Sequence, residues 1–174
     1  MGRPGLRRHR RRGARRLLRR PAPPGLAGGA VIEVEVATSV DDGLVAALNA
    51  LVAQLSTSAP TLTREFVREI VDSPATTLYL ARDGDRVVGT LTLALFSIPT
   101  GVRAWIEDVV VDEGARGRGV GEALTRRALE DAARAGARTV DLTSRPSRES
   151  AHALYRRVGF VARETNVYRF FMES

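Results

Sequence analysis

The run Val109–Leu124, VVVDEGARGRGVGEAL, constrains this chain more than any other stretch of it. Three β-branched residues, Val109, Val110 and Val111, close what reads as a buried strand, and a short acidic turn follows. Next come Arg116-Gly117-Arg118-Gly119-Val120-Gly121, then apolar residues at helical spacing. A strand feeding a glycine-rich turn that opens a helix is a physical device for holding phosphate. Glycines let the backbone approach closely, and the first helical N–H groups, lacking partners, point at the anion with the helix dipole behind them.

Two phosphate-binding patterns fail here. A nucleotide P-loop needs lysine after its last glycine; Gly114 and Gly119 have the right separation, but Val120 follows and the chain contains no lysine. A dinucleotide-binding G-x-G-x-x-G turn fails because Glu122 and Leu124 stand where its third glycine belongs. A third pattern, R-x-x-G-x-G, is met by Arg116 to Gly121. Taken alone, those six residues also allow a helix-entry loop with no ligand.

That third pattern resembles the acetyl-CoA pyrophosphate loop of the GNAT superfamily of N-acetyltransferases. Arg148–Phe160, RESAHALYRRVGF, is similar to the superfamily's N-x-x-A-x-x-L-Y-x-x-x-G-F signature at Ala151, Leu154, Tyr155, Gly159 and Phe160, with Arg148 in place of Asn. Two motifs in the right order, each beside the expected kind of element, are hard to meet by chance. The resemblance spans about Val31 to Phe171 and is weakest toward the N-terminus.

At 174 residues the chain suits one domain, with a largely aliphatic core because aromatics make up only 5%. Its formal charge of +7 is unevenly placed. Ten of the 27 arginines lie in Arg3–Arg20 and no acid precedes Glu33, so the remaining 17 arginines face 20 acids, a balance of −3. Residues 1–30, ending in the spacer PAPPGLAGGA, are expected to be a disordered tail, either a native extension or sequence upstream of a true start near Val31. Residues 31–174 form the expected N-acetyltransferase domain. Nucleic acid is not an expected partner, since only the tail would attract it. The chain has no cysteine, hence no disulfide, thiolate zinc site or cysteine nucleophile, and no metal is expected. No apolar run approaches membrane-spanning length, so a cytoplasmic protein without membrane contact is expected.

Periodicity predicts a strand over Val31–Ala37, a helix over Leu44–Leu55 behind Asp41-Asp42, and a short helix capped by Thr61 or Thr63. Strands follow over Thr76–Arg82 and Val87–Ser97 around an Asp83-Gly84-Asp85 turn, and over Val102–Val111. After the glycine loop come a helix to about Ala135, a strand over Thr139–Thr143, a helix over Arg148–Arg157, and two closing strands, Gly159–Arg163 and Asn166–Met172. The class is α/β: a mixed, mostly antiparallel central sheet flanked by helices, as the resemblance to a GNAT-like acyl-CoA N-acyltransferase fold also implies.

The resemblance implies a reaction: acetyl transfer from acetyl-CoA, as co-substrate, directly to a primary amine of a small molecule or protein. An acyl-CoA-binding module without catalysis is the alternative. Backbone N–H groups around Arg118–Glu122 would bind the pyrophosphate, with Arg116, Gly117, Gly119, Val120 and Gly121 completing the loop. The pantetheine arm would pair with Val109, Val110 and Val111 near a mid-strand bulge, Val109 N–H polarising the thioester carbonyl. Glu107 matches the general base, Tyr155 the proton donor to the departing sulfur, and Arg148 a residue contacting the arm or a phosphate. Helices within Leu44–Val71 and the connection Phe96–Val102 would build the acceptor site, and relatives' pairing through C-terminal strands implies a homodimer. His152 reads as structural, and Ser144, Ser147 and Ser150 as capping and shaping the turn before its helix.

Overall fold

The computed structural model describes residues 31–172; the arginine-rich segment 1–30 lies outside the described residues. Five strands form one sheet in chain order: β1 (Ile32–Val36), β2 (Thr76–Asp83), β3 (Arg86–Ile98), β4 (Gly101–Val111) and β5 (Val140–Leu142). The first four run antiparallel, and β5 joins β4 in parallel. This is the expected mixed, mostly antiparallel architecture. Parallel pairing at that point needs a crossover, and the helix after the glycine loop supplies it.

Helices cover both faces. Helix α1 (Asp42–Leu55) starts where the Asp41 carboxylate accepts from Leu44 N at 2.7 Å, and α2 (Arg64–Asp72) where Thr63 Oγ1 accepts from Phe66 N at 3.2 Å. Leu44 and Leu48 of α1 and Val67 of α2 bury against Leu78 and Leu80, forming one core. On the opposite face α3 (Val120–Arg134) lays the expected stripe Val120, Leu124, Ala128 and Ala132 on Tyr79, Leu91, Leu93 and Ile106. Helix α4 (Glu149–Val158) completes the set. No helix among the described residues is long and apolar enough to cross a membrane.

The two closing strands do not form. Gly159, at φ +115°, ends α4, and Phe160 N donates to Tyr155 O at 2.9 Å, turning the chain back onto the helix. Beyond it, residues 161–172 adopt no regular structure, and Val161, Val167, Tyr168, Phe170, Phe171 and Met172 are exposed. Their strand-forming composition is real. A strand also needs a partner edge and a face to cover, and β5 is only 3 residues long.

One polar link joins sheet to helix through the core. Tyr79 is fully buried, and its hydroxyl donates to Asp131 Oδ2 of α3 at 2.7 Å. Burial, together with the Asp131 hydrogen bond and charge, pushes the phenol's pKa far above its ordinary value. Burial opposes ionisation of Asp131, but the Tyr79 hydroxyl and Arg127 outweigh it and hold the carboxyl below its ordinary range. A carboxyl depressed on folding stabilises the fold above its unfolded pKa of about 4 and loses that contribution as pH falls. Tyr79→Phe is expected to lower stability by about 1–2 kcal/mol at pH 7. The gap to wild type should narrow below about pH 4, as read by urea unfolding across that range.

Candidate active site

Strand β4 carries one residue too many. It pairs Thr92 with Glu107 but Thr90 with Val110, so Asp108 and Val109 together oppose Leu91. Asp108 takes φ +49°, the one non-glycine residue among those described in the left-handed region. Aspartate tolerates that conformation better than most residues, at a cost of roughly 1 kcal/mol. The bulge has a directional effect. In a regular strand Glu107, Val109 and Val111 would share a face. The extra residue instead puts Glu107 on the α1 side of the sheet with Thr92, while Val109 and Val111 pack into the α3-side core.

The same segment has a free side. Strand β5 pairs only with Ala104, Trp105 and Ile106, so Glu107–Val111 has no strand on its β5 side among the described residues. At the end of this open edge, Asp112 caps a 3-10 turn over Glu113–Ala115, its Oδ1 accepting from Gly114 N at 3.1 Å. Gly117 at φ +77° and Gly119 at φ +81° then lead into α3, with Gly119 as its N-cap. A Cβ on either glycine would meet nothing within 4 Å, so backbone conformation, and not crowding, demands them there. Gly121 differs: a Cβ would sit 3.0 Å from Leu154 Cδ2, so its absence lets α4 close against α3. The N–H groups of the first turn of α3 lack helical partners.

Comparison with known proteins bears on the family and the fold. Residues 46–160 match the model of the acetyltransferase (GNAT) family. The chain belongs to the GNAT family. It is 31% identical over 96 residues to the N-alpha-acetyltransferase MAK3 of Arabidopsis thaliana, covering 55% of this chain and 50% of that protein. The chain thus spans about half the length of that curated relative. A candidate acetyltransferase from Agrobacterium tumefaciens strain C58 superposes with a TM-score of 0.72 at 29% identity, over 80% of this chain and all of its own. An aminoglycoside N-acetyltransferase solved with CoA shares the fold, with a TM-score of 0.67 at 15% identity, over 85% of this chain and 98% of its own.

In this GNAT domain the expected site residues fall into two groups. Glu107 and Tyr155 lie near enough that the Glu107 charge is felt at the phenol. Burial raises the Tyr155 pKa, the Arg148 charge works against that rise, and Glu107 adds to it. Tyr155 is half-buried and meets Phe160 edge-on, ring centroids 5.7 Å apart. Arg148 is the N-cap residue of α4, without a capping side-chain bond, and Ser144, Ser147 and Ser150 make no cap there either. His152 Nε2 lies 2.9 Å from the Arg145 carbonyl, tying the helix to the preceding turn.

The loop's charged side chains turn into the fold. Arg118 Nη1 meets Asp83 Oδ2 at 2.6 Å, fastening the loop to the β2–β3 hairpin, and this hydrogen bond holds the Asp83 carboxyl below its ordinary range. Arg116 Nε donates to Val111 O at 3.4 Å. Glu122 accepts from Arg126 and Arg157, each at 2.9 Å, linking α3 to α4. A cavity of about 610 Å³ lies elsewhere, between α1 and the β1–β2 end of the sheet. Among the described residues no group of His, Cys, Asp and Glu is arranged to hold a metal ion.

Sequence reasoning missed three residues. Trp105 donates from Nε1 to Glu107 Oε1 at 2.6 Å; strand periodicity, applied to i and i+2, would have found that pair. Gly89 is the second: a Cβ there would lie 2.9 Å from Val120 Cγ1 and 3.0 Å from Val110 O, so its absence seats the head of α3 on the sheet. Gln54, at the end of α1, donates to Asp112 Oδ2 and accepts from Glu113 N, both at 3.1 Å, bracing the turn that enters the glycine loop. No local pattern announces a contact across 58 residues. If the glycine loop holds acetyl-CoA, as proposed below, Gln54→Leu should weaken that binding about threefold to tenfold by loosening the loop, while lowering stability by only about 1 kcal/mol. Calorimetric titration and thermal unfolding would separate the two effects.

Proposed function

We propose that this chain transfers the acetyl group of acetyl-CoA directly to a primary amine, releasing CoA. The carrying observation is a junction: the bulged, one-sided segment Glu107–Val111 runs straight into the open glycine loop at the head of α3. The exposed backbone at Gly117 and Gly119 lets a diphosphate approach, and the backbone N–H groups of Arg118–Glu122 are the proposed donors. Because Arg116 and Arg118 spend their side chains on the fold, that cradle works through N–H dipoles. The free edge of Val109–Val111 suits an extended pantetheine arm, with Val109 N–H as the donor to the carbonyl oxygen.

Acetyl-CoA supplies the thioester and its leaving group; protons are this chain's task. An alkylamine is mostly protonated at neutral pH and so cannot attack. Glu107, exposed beside the bulge, takes that proton directly or through one water. Tyr155 returns a proton to the departing thiolate, and its raised pKa keeps it a donor through the neutral range. Arg148 supplies positive charge on the α4 side. The mildly acidic body favours a cationic acceptor, approaching over the α1–α2 side of the sheet. A cytoplasmic location is part of this proposal. We also propose a homodimer that covers the exposed apolar residues between Val161 and Met172. Deleting residues 166–174 should then yield monomers by sedimentation, and an unchanged sedimentation coefficient would remove that assignment.

Calorimetry with acetyl-CoA, followed by thiol release across an amine panel, tests the reading. Absence of binding would overturn it; binding with no turnover on any amine would leave an acyl-CoA sensor. Tyr155→Phe is expected to lower kcat about 100-fold with the acetyl-CoA Kd nearly unchanged. Glu107→Gln should be similarly impaired at neutral pH and recover as pH approaches the acceptor amine's own pKa, because a neutral amine needs no base.

A further inference from the structure

We infer that Trp105 is the positioning residue for Glu107, its indole N–H holding one carboxylate oxygen so that the other faces the acceptor amine. This rests on the reading of Glu107 as proton acceptor. The two side chains stand on one face of β4, upstream of the bulge, opposite Ala94 and Thr92 of β3. Small partners on β3 leave the half-buried indole room to lie along the strand, and Nε1 donates to Glu107 Oε1 at 2.6 Å, a short hydrogen bond. An exposed glutamate otherwise wanders among rotamers, and holding it in one geometry serves proton transfer, which needs the base within hydrogen-bond reach. Indole suits this task because it donates only, so it leaves the second oxygen free and does not ionise.

The nearest charge on β5 is engaged elsewhere. Asp141 of β5 pairs in register with Trp105, yet its carboxylate is shared between Arg103 and Arg163, each at 3.7 Å. Arg148 and Tyr155 face the site from α4, and Asp108 stands in the bulge. Among the described residues the side-chain hydrogen bond to Glu107 comes from the indole.

Trp105 is the one tryptophan in the chain, so its fluorescence reports this contact without background. Glu107→Gln should change the emission intensity of the cofactor-free protein, whereas Asp108→Asn should not. Trp105→Phe keeps an aromatic ring and removes the donor. With the amine giving fastest thiol release, it is expected to lower kcat about fivefold to tenfold, with the acetyl-CoA Kd within about twofold of wild type. In the Glu107→Gln background the same change should alter kcat by less than about twofold. Identical emission in wild type and Glu107→Gln overturns the inference, as do additive effects on kcat. If Glu107→Gln retains full kcat at neutral pH, the base assignment falls, and the positioning role with it. If Glu107→Gln is impaired while Trp105→Phe is not, only the positioning role falls. Should Trp105→Phe fail to fold, the emission comparison still decides the contact.

Discussion

The extra residue at Asp108–Val109 is the constraint from which the site's geometry follows. A strand alternates its side chains, so a regular β4 would turn Glu107 and the two valines Val109 and Val111 the same way. The valines are needed on the α3 side, where Val111 also sits against Gly121 and Val109 packs into the core. Glu107 would then face the same apolar layer, where an ionised carboxylate is costly. Shifting the register by one residue sends the carboxylate to the open α1 side, at the modest expense of one left-handed aspartate. The pairing with β5 stops at Ile106, one residue before Glu107 and two before that aspartate, so the exposed edge and the reoriented carboxylate occur together.

The head of α3 is placed by packing, with hydrogen bonds in support. Two close approaches hold it: Gly89 under Val120 and Leu124 on the sheet, and Gly121 beside Leu154 on α4. Neither position has a positive φ, so glycine is required there for space. Gly117 and Gly119 are required for conformation and leave open space. The four glycines thus divide between holding the helix still and shaping the loop before it. Arg118 on Asp83 and Gln54 on the Asp112 turn then tie the loop to both neighbours, the β2–β3 hairpin and the end of α1.

Local patterns carried much of this. The helix from Val120, its apolar stripe, the acid cap at Asp41 and the four long antiparallel strands follow from spacing and turn chemistry that neighbouring residues report by themselves. What spacing does not report is contact. Gln54 and Asp112 lie 58 positions apart, Arg118 and Asp83 35, and no periodicity relates them. The closing strands illustrate the converse error: Asn166–Met172 has strand composition, but a strand exists only with an edge to pair, and composition says nothing of edges. The loop arginines show the same gap. Their type suggests anion binding, while their partners in the fold, Asp83 and the Val111 carbonyl, occupy them.

In the proposed reaction the proton acceptor and the proton donor sit on different elements, Glu107 on β4 and Tyr155 on α4. Separation is what the chemistry asks for. Were both on the acceptor's side, the proton taken from the ammonium would meet the phenol before the sulfur did. The Glu107 charge is felt at the Tyr155 phenol and discourages its ionisation, so the base in its working state reinforces the acid in its own. Once Glu107 has taken the amine's proton, that opposing charge is gone from the phenol's surroundings. Arg148 leans the same way, easing formation of the phenolate after the transfer.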